Sequence, residues 1–128
     1  MGKMTKYIDK KLNAVVYTLD KDAGCSDMLE ELEAYYKGSL TKYVVVDFTG
    51  IIKHLTNDEI KKIADRMKLL GKARRGGYDV VVVKGLLQYG LARIYCAHTA
   101  DADAGALKTI VMRSVDEALT WLRQNEAF

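Results

Sequence analysis

Residues 78–95 read YDVVVVKGLLQYGLARIY, and this stretch carries the fold class. The four valines from Val80 to Val83 describe a strand buried on both faces, because a half-exposed strand would alternate apolar and polar side chains. Gly85 then turns the chain, and apolar residues follow at helical spacing from about Leu86 to about Thr99. That spacing predicts Leu87, Leu91, Ile94 and Tyr95 on the inward face. A doubly buried strand that runs straight into a helix is one unit of a parallel sheet.

The same unit recurs in both directions along the chain. KYVVVDF (42–48) is a second valine run, and LNAVVYTL (12–19) and LKTIVMR (107–113) are further strands. KYID (6–9) is placed to pair with the first of these as an edge hairpin. Ser26 is the expected cap of a helix with Met28, Leu29, Leu32, Tyr35 and Tyr36 on its apolar face, and Gly38 ends it. Thr56-Asn57-Asp58-Glu59 has the form of a capping box. Behind it Ile60, Ile63, Ala64, Met67 and Leu70 point inward, while Lys61, Lys62, Arg66 and Lys68 face water. Ser114-Val115-Asp116-Glu117 opens a last helix with Val115, Ala118, Leu119 and Leu122 inward. Trp121 falls off that stripe, so it either packs back on the sheet or meets another subunit. The order is (β)βαβαβαβα, an α/β fold with a mainly parallel sheet joined by right-handed crossovers.

The chain is 128 residues long, 49% hydrophobic and 29% charged, which gives room for one globular domain. Its net charge of +3 is spread along the sequence, whereas a nucleic-acid binder concentrates its cations on one stripe. The one dense cluster, Lys72, Arg74 and Arg75 beside Gly76 and Gly77, reads as a solvated helix end. Cys25 and Cys96 stand far apart and form no CxxC pair, so neither a disulfide scaffold nor a zinc ribbon is expected. The basic start MGKMTKYIDKK leads into no apolar stretch, and no run reaches the ~20 residues of a membrane span. The expectation is a cytoplasmic protein that enters neither membrane nor nucleic acid.

In open α/β sheets ligands gather beyond the carboxyl ends of the strands. That geometry selects Asp20, Asp22, Asp47, Thr49, Gly50, Lys84, Gly85, Arg113 and Ser114. With Tyr89 and Arg93, which share a face of the next helix, the candidate crevice for a ligand or partner is Asp47, Thr49, Lys84, Gly85, Tyr89, Arg93 and Arg113. GLLQYG (85–90) is no phosphate loop, since Leu91 and Ala92 stand where Lys and Ser or Thr are required. Gly85 is then a strand-end turn and Gly90 a close packing point. A phosphoacceptor receiver domain needs five β-α units, and only four are visible. Cys96 and His98 are two apart and diverge on a helix, and His98 with Asp101 makes only two ligands, so neither metal nor cofactor is expected. No nucleophile stands beside a base. An enzyme would have to rest on Asp47, Thr49, Lys84 and Arg113 converging on one point, and the expected answer is a non-enzyme.

The stretches VVVDFTGI (44–51), LTNDE (55–59), VVVVKGLLQYGLARIY (80–95) and SVDEALTWL (114–122) together resemble the STAS domain of anti-sigma-factor antagonists. More closely, the region from Lys42 to about Gln124 looks like the bacterial STAS-like proteins grouped with CRAL-TRIO lipid-binding domains. The resemblance implies one STAS-like domain over residues 1–128, with a four- to five-stranded, mainly parallel sheet and an N-terminal edge strand. It implies a regulatory, non-enzymatic module that binds a protein partner, or a carrier or sensor of a small apolar ligand. In the antagonists a serine of an Asp-Ser-Ser-Gly motif after the central strand is phosphorylated to switch partner binding. Leu55, Thr56, Asn57 and Asp58 stand at that place, so the motif is absent and Thr56 is the residue left to take a phosphate. The tyrosine-rich surface, with Tyr89 and Arg93 on one helix face, also suits a homodimer.

Overall fold

The computed structural model describes residues 3–74, 76–99 and 107–126. Five strands form one sheet: β1 (Met4–Asp9), β2 (Ala14–Leu19), β3 (Tyr43–Asp47), β4 (Gly77–Val82) and β5 (Leu107–Met112). Four helices follow strands β2 to β5 in turn: α1 (Cys25–Lys37), α2 (Asn57–Leu70), α3 (Gly85–Thr99) and α4 (Val115–Glu126). A single 3-10 turn, Gly71–Arg74, links α2 to β4. The strand order is β1-β2-β3-β4-β5, with β1 antiparallel to β2 and every other pair parallel. The edge hairpin turns through residues 10–13, where Asn13 takes a left-handed φ of 54°, a conformation asparagine tolerates better than most residues.

This order dictates where the helices go. Parallel neighbours joined by right-handed crossovers place each connecting helix on the same face. Accordingly α1, α2 and α3 share one side of the sheet and α4 alone covers the other. Beneath α4 the core is Ala14, Val16, Tyr43, Val45, Val80 and Val82, closed by Ala118 and Leu122. Tyr78 joins this side, stacked on Tyr43 with ring centroids 5.8 Å apart. Trp121 meets Tyr78 edge-on at 5.5 Å, so it packs back on the sheet.

Several local expectations are corrected. Gly24, not Ser26, caps α1; its N–H donates to the Asp27 carboxylate at 2.8 Å, and Ser26 is exposed. The buried pair on α3 is Gln88 and Ala92, while Leu87 is 58% exposed. Leu91 and Tyr95 face inward as expected; the first turn differs, with Gln88 buried in place of Leu87 and its side chain tied at both ends. Its Oε1 accepts from Lys84 N at 2.8 Å, and its Nε2 donates to Phe48 O at 3.1 Å. Gly90 is exposed with open space around it, not a packing point.

Arg74 departs furthest from the expected solvated helix end, being 5% exposed. Its Nη1 reaches Asp79 at 2.6 Å, while Nε and Nη2 donate to the carbonyls of Thr41, Lys42 and Tyr78 at 2.8, 2.9 and 3.1 Å. A planar guanidinium can serve several acceptors at once where an ammonium cannot. Arg74 thereby joins the 3-10 turn to the segments that lead into β3 and β4.

Candidate functional site

At the carboxyl ends of the strands the selected residues form two separate pairs. Asp47, at the end of β3, accepts from Thr49 N at 2.9 Å and Thr49 Oγ1 at 2.7 Å, which makes a local turn. Arg93 Nη1 donates to Tyr89 Oη at 3.2 Å on the exposed side of α3. Gly85 opens α3 at a φ of +79°. Lys84 and Arg113 are exposed, and no hydrogen bond or ion pair among the described residues joins either to Asp47 or Thr49. Thr56 caps α2 as expected: its Oγ1 accepts from Glu59 N at 3.1 Å, and Glu59 takes Thr56 N at 2.9 Å.

This end of the molecule is notably apolar on its surface. Leu86 is 90% exposed, Ile52 69%, Leu87 58% and Tyr89 45%. Leu86, Leu87 and Tyr89 share the first turns of α3, and Ile52 lies in the loop after β3. Exposed cations stand in the same connections: Lys53 after β3, Lys84 before α3 and Arg113 after β5.

A second feature lies inside the fold. Helix α2 packs mainly against α3, α1 and the 3-10 turn, with the sheet beyond them. A partly open cavity of about 150 Å³ results between α2 and the sheet. Val44, Val46, Val81 and Val83 form its floor, and Ile60, Ile63 and Met67 of α2 its roof. Met28, Leu32 and Tyr35 of α1 close one side, and Leu91, Ala92 and Tyr95 of α3 the other.

The polar groups on the cavity wall differ in how they are served. Arg74 and Asp79 satisfy each other, and Gln88 is held by Lys84 N and Phe48 O. Burial pushes the Asp79 carboxyl up while Arg74 pulls it down, and the guanidinium keeps its charge. Tyr17 Oη and His54 Nδ1 are buried without a hydrogen-bond partner among the described residues. Tyr17 is only 5% exposed, and burial, followed by the nearby Glu31 and Tyr35, pushes its hydroxyl up to about 12. An unserved buried polar atom costs about 1–3 kcal/mol. The resemblance implies a small apolar ligand without locating this cavity. Its only signal was Tyr17, an aromatic with a polar tip in the middle of a buried strand, and His54 just ahead of the Thr56 cap.

No cluster of three or more His, Cys, Asp or Glu side chains suited to a metal occurs among the described residues. No described helix is long and apolar enough to cross a membrane. No family model matches the sequence, and no curated protein does. Among solved structures the chain is similar to RsbS of Moorella thermoacetica, in a single-substitution variant, with a TM-score of 0.62 and 14% identity. The match spans 98% of this chain and 99% of that one, taking in the edge hairpin and all four helices. The protein has a STAS-like fold.

Proposed function

We propose that the protein is a non-enzymatic regulatory module that docks another protein at the carboxyl end of its parallel strands. The observation that carries this reading is the exposure of Leu86, Leu87, Tyr89 and Ile52 at one end of the sheet, since apolar side chains exposed together favour an interaction site. The cations Lys53, Lys84 and Arg113 in the same loops select a partner whose apolar contact is rimmed by carboxylates. The STAS-like fold, shared with RsbS, supports the regulatory part of the reading. Thr56 is its candidate modification point. A phosphate there would gain from the helix N-terminus and lose against the adjacent Glu59 carboxylate.

The test is affinity capture from the parent cell with wild type, Leu86→Asp, Lys84→Glu and Tyr7→Ser, the last altering the exposed β1 edge. The reading expects an acidic-faced protein retained by Tyr7→Ser, lost with Leu86→Asp and Lys84→Glu, and weakened by salt. Recovery of the same proteins with all four baits would end it. Mass spectrometry of the purified protein for phosphate at Thr56 tests the modification.

The cavity beneath α2 favours a second reading, a carrier or sensor of a small apolar ligand. Its volume and its largely aliphatic walls carry that reading.

A further inference from the structure

Resting on the ligand reading of the cavity, a chemical class of guest can be assigned. We infer that the space beneath α2 takes a neutral, single-ring-sized molecule bearing one hydrogen-bonding oxygen, oriented by the Tyr17 hydroxyl and His54 Nδ1.

Three observations converge. The first is size: about 150 Å³ matches cavities that hold a benzene-sized guest. The second is the pair of unpartnered buried polar atoms on the wall, Tyr17 Oη and His54 Nδ1. The Tyr17 hydroxyl stays protonated at neutral pH and can donate to a ligand oxygen. The third is charge. Arg74 is engaged by Asp79, so its guanidinium is no free counter-ion for an anionic guest. Glu31 on the same wall opposes an anion further. An ionised head would therefore be desolvated against valines and methionines without compensation.

Methionine placement supplies a site-resolved readout. Met28 and Met67 line the cavity, whereas Met112 belongs to the core on the opposite face beneath α4. With methyl-labelled methionine, the full chain is titrated with 4-methylphenol, toluene and 4-methylbenzoate while the methyl resonances are followed by NMR. The expected result is saturable shifts of Met28 and Met67 with 4-methylphenol, Met112 remaining unmoved. Toluene should bind about three- to tenfold more weakly, the span of one neutral hydrogen bond, and 4-methylbenzoate not at all. Tyr17→Phe keeps the edge-on ring contact with Tyr35, and an unchanged Met112 signal reports that it folds. In that variant 4-methylphenol should fall to the toluene level. If neither neutral probe moves Met28 or Met67, the ligand reading itself is overturned. If both bind equally, if Tyr17→Phe binds like wild type, or if 4-methylbenzoate binds best, the assignment of class and orienting groups fails while the cavity reading stands.

Discussion

Replacing Arg74 by Met while Asp79 stays in place strands a carboxylate between the sheet and three helices. The two side chains are 2% and 10% exposed and meet at 2.6 Å. The carbonyls that Arg74 serves are partly insured: Thr41 O also receives the Tyr35 hydroxyl at 3.3 Å, and Lys42 O receives Tyr78 N at 3.0 Å. The cost of Arg74→Met therefore concentrates in the unpaired Asp79 and should reach about 3–5 kcal/mol. Asp79→Leu strands the guanidinium instead and should cost a similar amount. The double variant removes both charges, leaving only weakened hydrogen bonding at the carbonyls, about 1–2 kcal/mol. The cycle should thus return a coupling of at least about 4 kcal/mol, with the double variant more stable than either single one. Urea unfolding followed by far-ultraviolet circular dichroism, with the slope unchanged, gives each value. Arg74→Met within about 1 kcal/mol of wild type, or singles that simply add, would refute the reasoning.

Burial is the first cause raising Tyr17 and Tyr36 to about 12 and Tyr95 well above its ordinary value of 10. Because these folded values exceed the unfolded ones, their contribution to stability is complete below pH 10 and lost as pH rises toward 12. The urea midpoint should fall over that range, and Tyr17→Phe or Tyr36→Phe should flatten the fall; equal slopes in all three proteins would count against it. Gly85→Ala forces an alanine to a φ of +79° and should cost about 1–2 kcal/mol. Gly90→Ala, exposed and free of neighbours within α3, should stabilise by about 0.5–1 kcal/mol, so thermal midpoints should move in opposite directions. Thr56→Ala should cost about 1 kcal/mol through the lost cap, and Thr56→Asp should keep most of it, as thermal unfolding will show.

The fold was largely legible because its signals are local. Valine runs identify strands buried on both faces, and the Thr56 and Ser114 caps mark helix starts that the structure reproduces. The β1 hairpin was legible too, from the short KYID stretch. What escaped depends on distant partners. Arg74 reads as a surface cation until Thr41, Lys42 and Asp79 are brought around it, although Asp79 inside a valine strand was a sign that some cation must be buried nearby. At the start of α3 Gln88 is buried where Leu87 was expected, and its tie to Phe48 spans 40 positions, beyond any periodicity argument. The walls of the cavity, unlike the apolar ligand the resemblance implies, escaped because they come from how α1, α2 and α3 pack over the sheet, and no single residue encodes that packing.

Strand order in space is also strand order along the chain, β1 through β5. Each strand that leaves the ribosome therefore finds its neighbour already made, and the sheet grows at one edge without ever opening to admit a late arrival. Loop closures remain within one strand-helix-strand unit, which favours rapid assembly. The exception is the last helix. Until α4 has been synthesised, Val16, Tyr43, Val45, Val80 and Val82 face water on an uncovered side of the sheet. The nascent chain thus passes through a half-covered sheet before α4 emerges, the stage at which chaperone capture or aggregation has its opening.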